Sequence, residues 1–242
     1  MSMNWAGARV LITGASSGIG AELARLLARR GAHILAAGRT GSALHGHENF
    51  AGDLAEPGAC VELAAAVGDV DVFIGNAGFG YAGDFAAMPT DRIGELITVN
   101  LTANMLLTRA LLPGMLDRGH GALAYITSIA GAMAVAEEAA YSGAKAGMAT
   151  FAESVRLAAR PKGVRVTTVV PGVVDTAFFE RRGAAYDRSR PRPVAPQRVA
   201  EATIAAIERG RAEVFVPSWL RFPARLGGAA PGLVRALRSR FE

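Results

Sequence analysis

Apolar and polar positions along this chain follow two rhythms. Short continuous apolar or β-branched runs, suited to strands buried on both faces, recur between longer stretches with apolar residues three and four apart. The runs at 9–13, 33–37, 70–74, 122–127, 164–170 and 213–216 are predicted strands. Helices are predicted over 19–30, about 91–116, 140–160 and 199–209. In the first of these, Ile19, Leu23, Leu26 and Leu27 make one stripe and Gly31 closes the end. Strand and helix in alternation imply an α/β class: a single domain with a doubly wound parallel sheet and helices on both faces. Ligands of such sheets bind beyond the C-terminal ends of the strands, where the strand order reverses.

Two segments break the rhythm. Residues 180–196 are polar and rich in Arg and Pro, so a lid loop over about 177–196 is expected. Residues 218–242 mix Trp219, Leu220, Phe222, Leu226, Leu233 and Leu237 with five arginines, an amphipathic basic extension of the main body at 1–217. Charge sharpens this division. Residues 1–179 carry 13 basic and 15 acidic side chains, whereas 180–242 carry 13 and 6. A solvated basic face is the preferred reading, without a nucleic-acid partner. Packing of 218–242 on the domain or a neighbouring subunit is preferred to peripheral contact with a membrane. The lone Cys60 leaves no internal disulfide, no apolar run reaches the roughly 18 residues of a membrane span, and the first residues lack a secretory pattern. A soluble, cytoplasmic protein is expected.

Directly after the first strand comes Thr13-Gly14-Ala15-Ser16-Ser17-Gly18-Ile19-Gly20, opening the first helix. Glycines there permit a sharp turn and let phosphate oxygens approach unpaired N–H groups at the positive end of the helix dipole. This strand–turn–helix context predicts dinucleotide binding. At the end of the second strand, where an acidic residue ordinarily meets a free ribose 2′-hydroxyl, the chain reads Ala36-Ala37-Gly38-Arg39-Thr40. A carboxylate would repel a 2′-phosphate, whereas the Arg39 guanidinium binds one through paired charge-assisted bonds. NADP(H) is therefore expected over NAD(H).

Ser128 follows the strand at 122–127, and Tyr141 lies thirteen residues later with Lys145 one helical turn beyond it. A phenol ionises near pH 10 in water, and a neighbouring ammonium favours the phenolate, so Lys145 is expected to lower the pKa of Tyr141 and suit it to proton transfer. With these residues in view, the chain resembles the short-chain dehydrogenase/reductase family in its compact branch of about 250 residues. The likeness spans roughly residues 9 to 216. It is carried by the 13–20 turn, Asp53-Leu54, Asn76-Ala77-Gly78, Asn100, Ser128, Tyr141 with Lys145, and Pro171-Gly172 with Thr176.

That resemblance implies a Rossmann-type fold and an enzyme interconverting a ketone or aldehyde with an alcohol by hydride transfer. It implies Tyr141 as general acid/base and Ser128 as the group that polarises the substrate oxygen. Lys145 would hold the nicotinamide ribose, and Asn100 would anchor a water that completes the relay. Gly14, Ser16, Ser17, Ile19 and Gly20 would line the phosphate and adenosine side. Asp53 and Leu54 would flank the adenine, Asn76 and Gly78 would lie along the cofactor, and Pro171, Gly172, Val174 and Thr176 would hold the carboxamide. The likeness also implies a homodimer or homotetramer through the helices at 91–116 and 140–160.

Three features depart from that pattern or stay open. Only thirteen residues separate Arg39 from Asp53, so the crossover helix is expected to be a loop, with His45 and His47 as surface histidines and no metal site. Gly75 stands where the family often has a second Asn. Phe79, Tyr81, Met133, Phe178 and Phe179 suggest an apolar substrate pocket, whereas the Arg-rich lid suggests an acidic substrate. The rival readings are a non-catalytic NADP-sensing or scaffold protein and a sugar-nucleotide epimerase-like enzyme. The first has no need of a proton relay, and the second needs a larger C-terminal substrate domain.

Overall fold

A computed structural model of the chain describes residues 3–41, 46–187 and 191–229. Seven strands form one sheet: β1 (Arg9–Thr13), β2 (His33–Gly38), β3 (Glu48–Ala51), β4 (Val72–Gly75), β5 (Gly121–Ile126), β6 (Val164–Pro171) and β7 (Glu213–Val216). All neighbours pair in parallel, in the order β3-β2-β1-β4-β5-β6-β7. The order reverses between β1 and β4, so the crevice beyond their C-terminal ends is the site the topology offers a ligand.

Alternate strand residues serve two cores. Val10, Ile12, Ile34 and Ile74 pack with Leu23 and Leu27 of α1 (Gly18–Ala28) and with Val199, Ile204 and Ile207 of α8 (Pro196–Glu208). Leu11, Leu35, Phe73 and Leu123 face the other way. They meet α2 (Ala59–Val67), α4 (Ala103–Arg118) and α6 (Ala139–Ala159) through Leu63, Leu107, Leu111, Met115 and Met148. The helical run Thr90–Arg118 has the length and composition of a membrane span, yet Leu107, Leu111 and Met115 are buried against this sheet face. It is one layer of the α/β sandwich.

The strands and four long helices expected from the pattern are present, with ends shifted by at most three residues. The helix expected over 91–116 is α3 (Thr90–Ile97), one wide π-type turn at Thr98–Thr102, and α4. Strand β3 and helix α2 are additions. Nine residues, 39–47, join β2 to β3, fewer than the dozen or more that a helical crossover between parallel strands requires. Of the two histidines expected there, His45 lies outside the described residues. His47 is exposed, its Nδ1 accepts the Ile34 N–H at 3.0 Å, and its ring stacks on His33.

The lid contains the short helix α7 (Phe178–Arg181) and rejoins the body where Val194 bridges Val174. After β7 the chain continues into α9 (Arg221–Ala229), and Leu220 and Ala224 pack with Val170, Phe215, Ile129 and Met133. The described start of the extension is thus seated on the domain, while Leu233 and Leu237 lie outside the described residues.

Candidate active site

The turn from β1 into α1 is built for close approach. Gly14 adopts φ +65°, and a Cβ on Gly20 would sit 2.2 Å from the Gly14 carbonyl oxygen, so the first helical turn rests on the loop beneath it. Thr13 Oγ1 accepts the N–H groups of Asn76 and Ala77, both at 3.1 Å. Asn76 Nδ2 in turn donates to the carbonyls of Thr13 at 3.0 Å and Gly14 at 3.1 Å. These bonds lock the ends of β1 and β4 together. Ser17 stands at the N-cap of α1 in extended backbone, without a side-chain capping bond and with no acidic residue in the first turn. That arrangement leaves backbone donors and the helix dipole facing the crevice.

At the other end of the crevice, Ser128 caps α5 (Ile129–Ala132), its Oγ accepting the Ala130 N–H at 3.1 Å. A Cβ on Gly131 would lie 2.6 Å from the Lys145 carbonyl carbon, so this glycine lets α5 lie directly on α6. The contact brings Ser128 into hydrogen-bond range of Tyr141. Lys145 is buried, donates from Nζ to the Ile126 carbonyl at 3.0 Å, and holds Nζ 5.6 Å from the centre of the Tyr141 ring.

Asn100 sits in the wide turn between α3 and α4 and is fully buried. Its Nδ2 donates to the carbonyls of Phe79 at 2.8 Å and Leu96 at 3.0 Å, and its Oδ1 is buried without a donor among the described residues. A Cβ on Gly78 would fall 2.4 Å from that oxygen and 3.2 Å from Lys145 Nζ. The absence of a side chain at Gly78 therefore keeps a polar space open between Asn100 and Lys145.

Burial acts on both titrating groups. Desolvation pushes the Tyr141 phenol up to about 12, only partly offset by the Ser128 hydrogen bond, and pushes Lys145 down to about 8. Loss of water is thus the largest influence on the phenol, and it holds Tyr141 in its protonated form.

One cleft of about 1380 Å³ joins the two ends, larger than the roughly 300–1,000 Å³ of an ordinary small-molecule site. It is lined by Gly14, Ser16, Ser17, Ile19, Asn76 and Gly78, with Arg39, Asp53 and Leu54 at one end and Ser128, Tyr141 and Lys145 at the other. Pro171, Gly172, Val174 and Thr176 form the opposite wall. Two expected site residues do not line it. Gly20 lies under the turn against Gly14, and Asn100 lies behind Gly78. Asp53 also has a structural duty, its Oδ1 accepting the Ala55 N–H at 2.9 Å. Of the expected apolar pocket, Phe79, Met133, Phe178 and Phe179 line the cleft, whereas Tyr81 packs into the cluster around Met88 and Leu96.

Several residues line the cleft whose place there the sequence pattern did not show. Trp219, Leu220, Pro223 and Leu226 form part of the rim. Arg182 pairs with Glu138, the residue before α6, and Arg181 reaches Ser17. The pattern marked a lid at these positions, but partners 44 and 164 places apart leave no trace in local periodicity. Chemically, the cleft offers a phosphate-binding turn, an elongated groove and a protonated phenol beside a hydroxyl and an amine. The open turn at Gly14 and the polar space at Gly78 both fit a dinucleotide laid along β1 and β4.

A family model described as short chain dehydrogenase matches residues 8–187. An uncharacterized oxidoreductase of Myxococcus xanthus is 36% identical over 236 residues, covering 91% of this chain and 92% of its own. A ketoacyl reductase of Nostoc is 35% identical over 230 residues, covering 87% and 78%. Among solved structures, a short-chain dehydrogenase from Sphingobium yanoikuyae in complex with NADPH gives a TM-score of 0.84 at 28% identity, with 94% of this chain and 95% of that one covered. A short chain dehydrogenase from Burkholderia cenocepacia in complex with NADP gives 0.83 at 27% identity, with 98% of each chain covered.

Proposed function

This chain belongs to the short-chain dehydrogenase family, and on that premise we propose an NADP(H)-dependent oxidoreductase that interconverts a ketone or aldehyde with an alcohol. The observation that carries the proposal is the meeting of Ser128, Tyr141 and Lys145 at one end of the cleft, with Asn100 behind Gly78. When bound, the nicotinamide supplies or accepts the hydride. Pro171, Gly172, Val174 and Thr176 would hold its carboxamide end, Gly14, Ser16, Ser17 and Ile19 would line the phosphates, and Asp53 and Leu54 would flank the adenine. The NADP- and NADPH-bound structures of similar proteins support the choice of cofactor, as does Arg39, exposed just past the end of β2, where it could meet a ribose 2′-phosphate.

Ser128 donates its hydroxyl hydrogen to the substrate oxygen while its own oxygen is fixed by the Ala130 N–H. Tyr141, kept protonated by burial, gives its proton to that oxygen during reduction. Lys145 orients the ribose and returns a proton to the phenol, and Asn100 Oδ1 anchors a water that links Lys145 to solvent. Replacing the phenol tests the assignment directly. Tyr141→Phe should lower NADPH-dependent carbonyl turnover roughly 10²–10⁴-fold while leaving NADPH binding within error, as general acid–base contributions of this size require. Retained turnover would sink the proposal.

We place the protein in the cytoplasm as a homodimer or homotetramer. The exposed Met105 and Leu106 of α4 and Leu157 of α6 support an apolar contact between subunits.

A further inference from the structure

The two adjacent arginines of the lid point to opposite tasks. The Arg182 guanidinium pairs with Glu138, both side chains being largely buried, and lies 4.6 Å over the Phe179 ring. It ties the lid to the start of α6. Arg181 turns toward the phosphate turn. Its Nε donates to the Ala177 carbonyl at 3.2 Å, and its Nη2 donates to Ser17 Oγ at 3.0 Å. Among the described residues no carboxylate pairs with it.

A guanidinium held on a neutral serine hydroxyl keeps its full charge, because the hydroxyl is a dipole and not a counter-ion. The surroundings are prepared for an anion. Ser17 makes no capping bond to α1, the first turn of α1 carries no acidic residue, and a Cβ on Gly18 would lie 3.0 Å from Thr176 Cγ2. Thr176 and Arg181 thus come down over the turn from the same segment after β6, while the α1 N–H groups face them from below.

We propose that Arg181 is a cofactor-binding residue that contacts the diphosphate of the dinucleotide from the lid side. This rests on the dinucleotide site of the proposed function. Arg39 stands at the far end of the cleft, so the two arginines separate by ligand chemistry. Arg39 reads the 2′-phosphate that only NADP(H) carries, whereas Arg181 meets the diphosphate common to NADPH and NADH. Helix α7 also places the Phe178 ring 5.3 Å from the Tyr141 ring. Contact at its Arg181 end therefore fixes the aromatic wall beside the proton donor at its Phe178 end.

The test is a fluorescence titration of the full chain with NADPH and with NADH at fixed salt, for wild type, Arg181→Ala, Arg181→Lys and Arg39→Ala. Loss of one charge-assisted contact predicts about a tenfold or greater rise in Kd. For Arg181→Ala that rise should be the same for both nucleotides, partly restored in Arg181→Lys, and accompanied by a shallower dependence of Kd on salt. Arg39→Ala should weaken NADPH alone. The nucleotide-free Tm of Arg181→Ala should match wild type, since the side chain is exposed. Unchanged affinities in Arg181→Ala overturn the proposal, as does a loss confined to NADPH, which would make Arg181 a 2′-phosphate contact. A wild-type protein that binds neither nucleotide fails the dinucleotide reading itself, a result distinct from either.

Discussion

At the scale of single residues, burial sets the direction of the chemistry. A phenol held up at about 12 is an acid throughout the physiological range, and a lysine held down at about 8 is the group that changes charge near neutrality. In the proposed reduction the phenol would give up a proton and Lys145 would replace it, so the ammonium form would be needed. The sign follows. Below about pH 8 Lys145 is charged and kcat/KM for carbonyl reduction should be flat, and above it the rate should fall as the proton leaves. Oxidation would need the phenol's own proton to pass to neutral Lys145 as the phenolate oxygen takes the alcohol proton, so its rate should instead rise with pH. A pH–rate profile in both directions checks this; parallel profiles would contradict it. Gly78 offers a second test. A methyl group there would fall 2.4 Å from Asn100 Oδ1 and 3.2 Å from Lys145 Nζ, filling the polar space between them. Gly78→Ala should lower turnover by roughly 10²-fold, the lower end of the range for proton-transfer contributions. Its Tm should change far less than its rate, and an unimpaired variant would show that the space has no part in proton return.

At the scale of elements, the lid and the catalytic helix are joined by one ion pair. Arg182 and Glu138 are 13% and 9% exposed, so removing the carboxylate takes away the counter-ion of a guanidinium packed on Phe179. Breaking a buried pair of this kind costs about 3–5 kcal/mol, whereas removing both partners costs less. Glu138→Ala should therefore lower Tm and raise KM for the carbonyl, and adding Arg182→Ala should recover part of the stability. Thermal melts of the two singles and the double give the coupling, and simple additivity would mean that the pair does not hold the lid. This contact marks where sequence reading stopped. The long strands were legible because β1, β5 and β6 are apolar or β-branched runs, and α6 because Tyr141 and Lys145 sit in a sustained helical period. Strand β3 reads Glu-Asn-Phe-Ala, an edge strand with one large apolar residue, and carries no such signal. Helix α2 is apolar almost all round, so it shows no stripe. The chemistry-bearing residues were legible through spacing. The groups that hold the lid over them were not, because a guanidinium meets its partner through folding and not through sequence proximity.

At the scale of the whole molecule, the sheet divides the protein into unequal faces. One face is closed by α1 and α8, with their stripes turned inward. The other is covered by α2, α4 and α6, and there Met105 and Leu106 on α4 and Leu157 on α6 remain exposed, with Leu157 at 65%. Scattered surface leucines need no explanation, but side chains on adjacent helices of one layer form a face that a second copy can cover. Helix α4 carries Asn104 and Thr108 on its buried side, and Thr108 meets the Tyr125 hydroxyl at 2.6 Å beneath it. A subunit contact on α4 and α6 would therefore stiffen the layer that supports Asn100, Tyr141 and Lys145 without entering the cleft. Leu106→Glu with Leu157→Glu places two carboxylates in that face and should shift the mass measured by light scattering to that of one chain. Turnover per chain should fall with it, through a weaker α6, while the NADPH-to-NADH preference proposed for Arg39 should stay unchanged. An unaltered mass would place the subunit contact elsewhere, and a lost cofactor preference would mean that the two ends of the cleft are not independent.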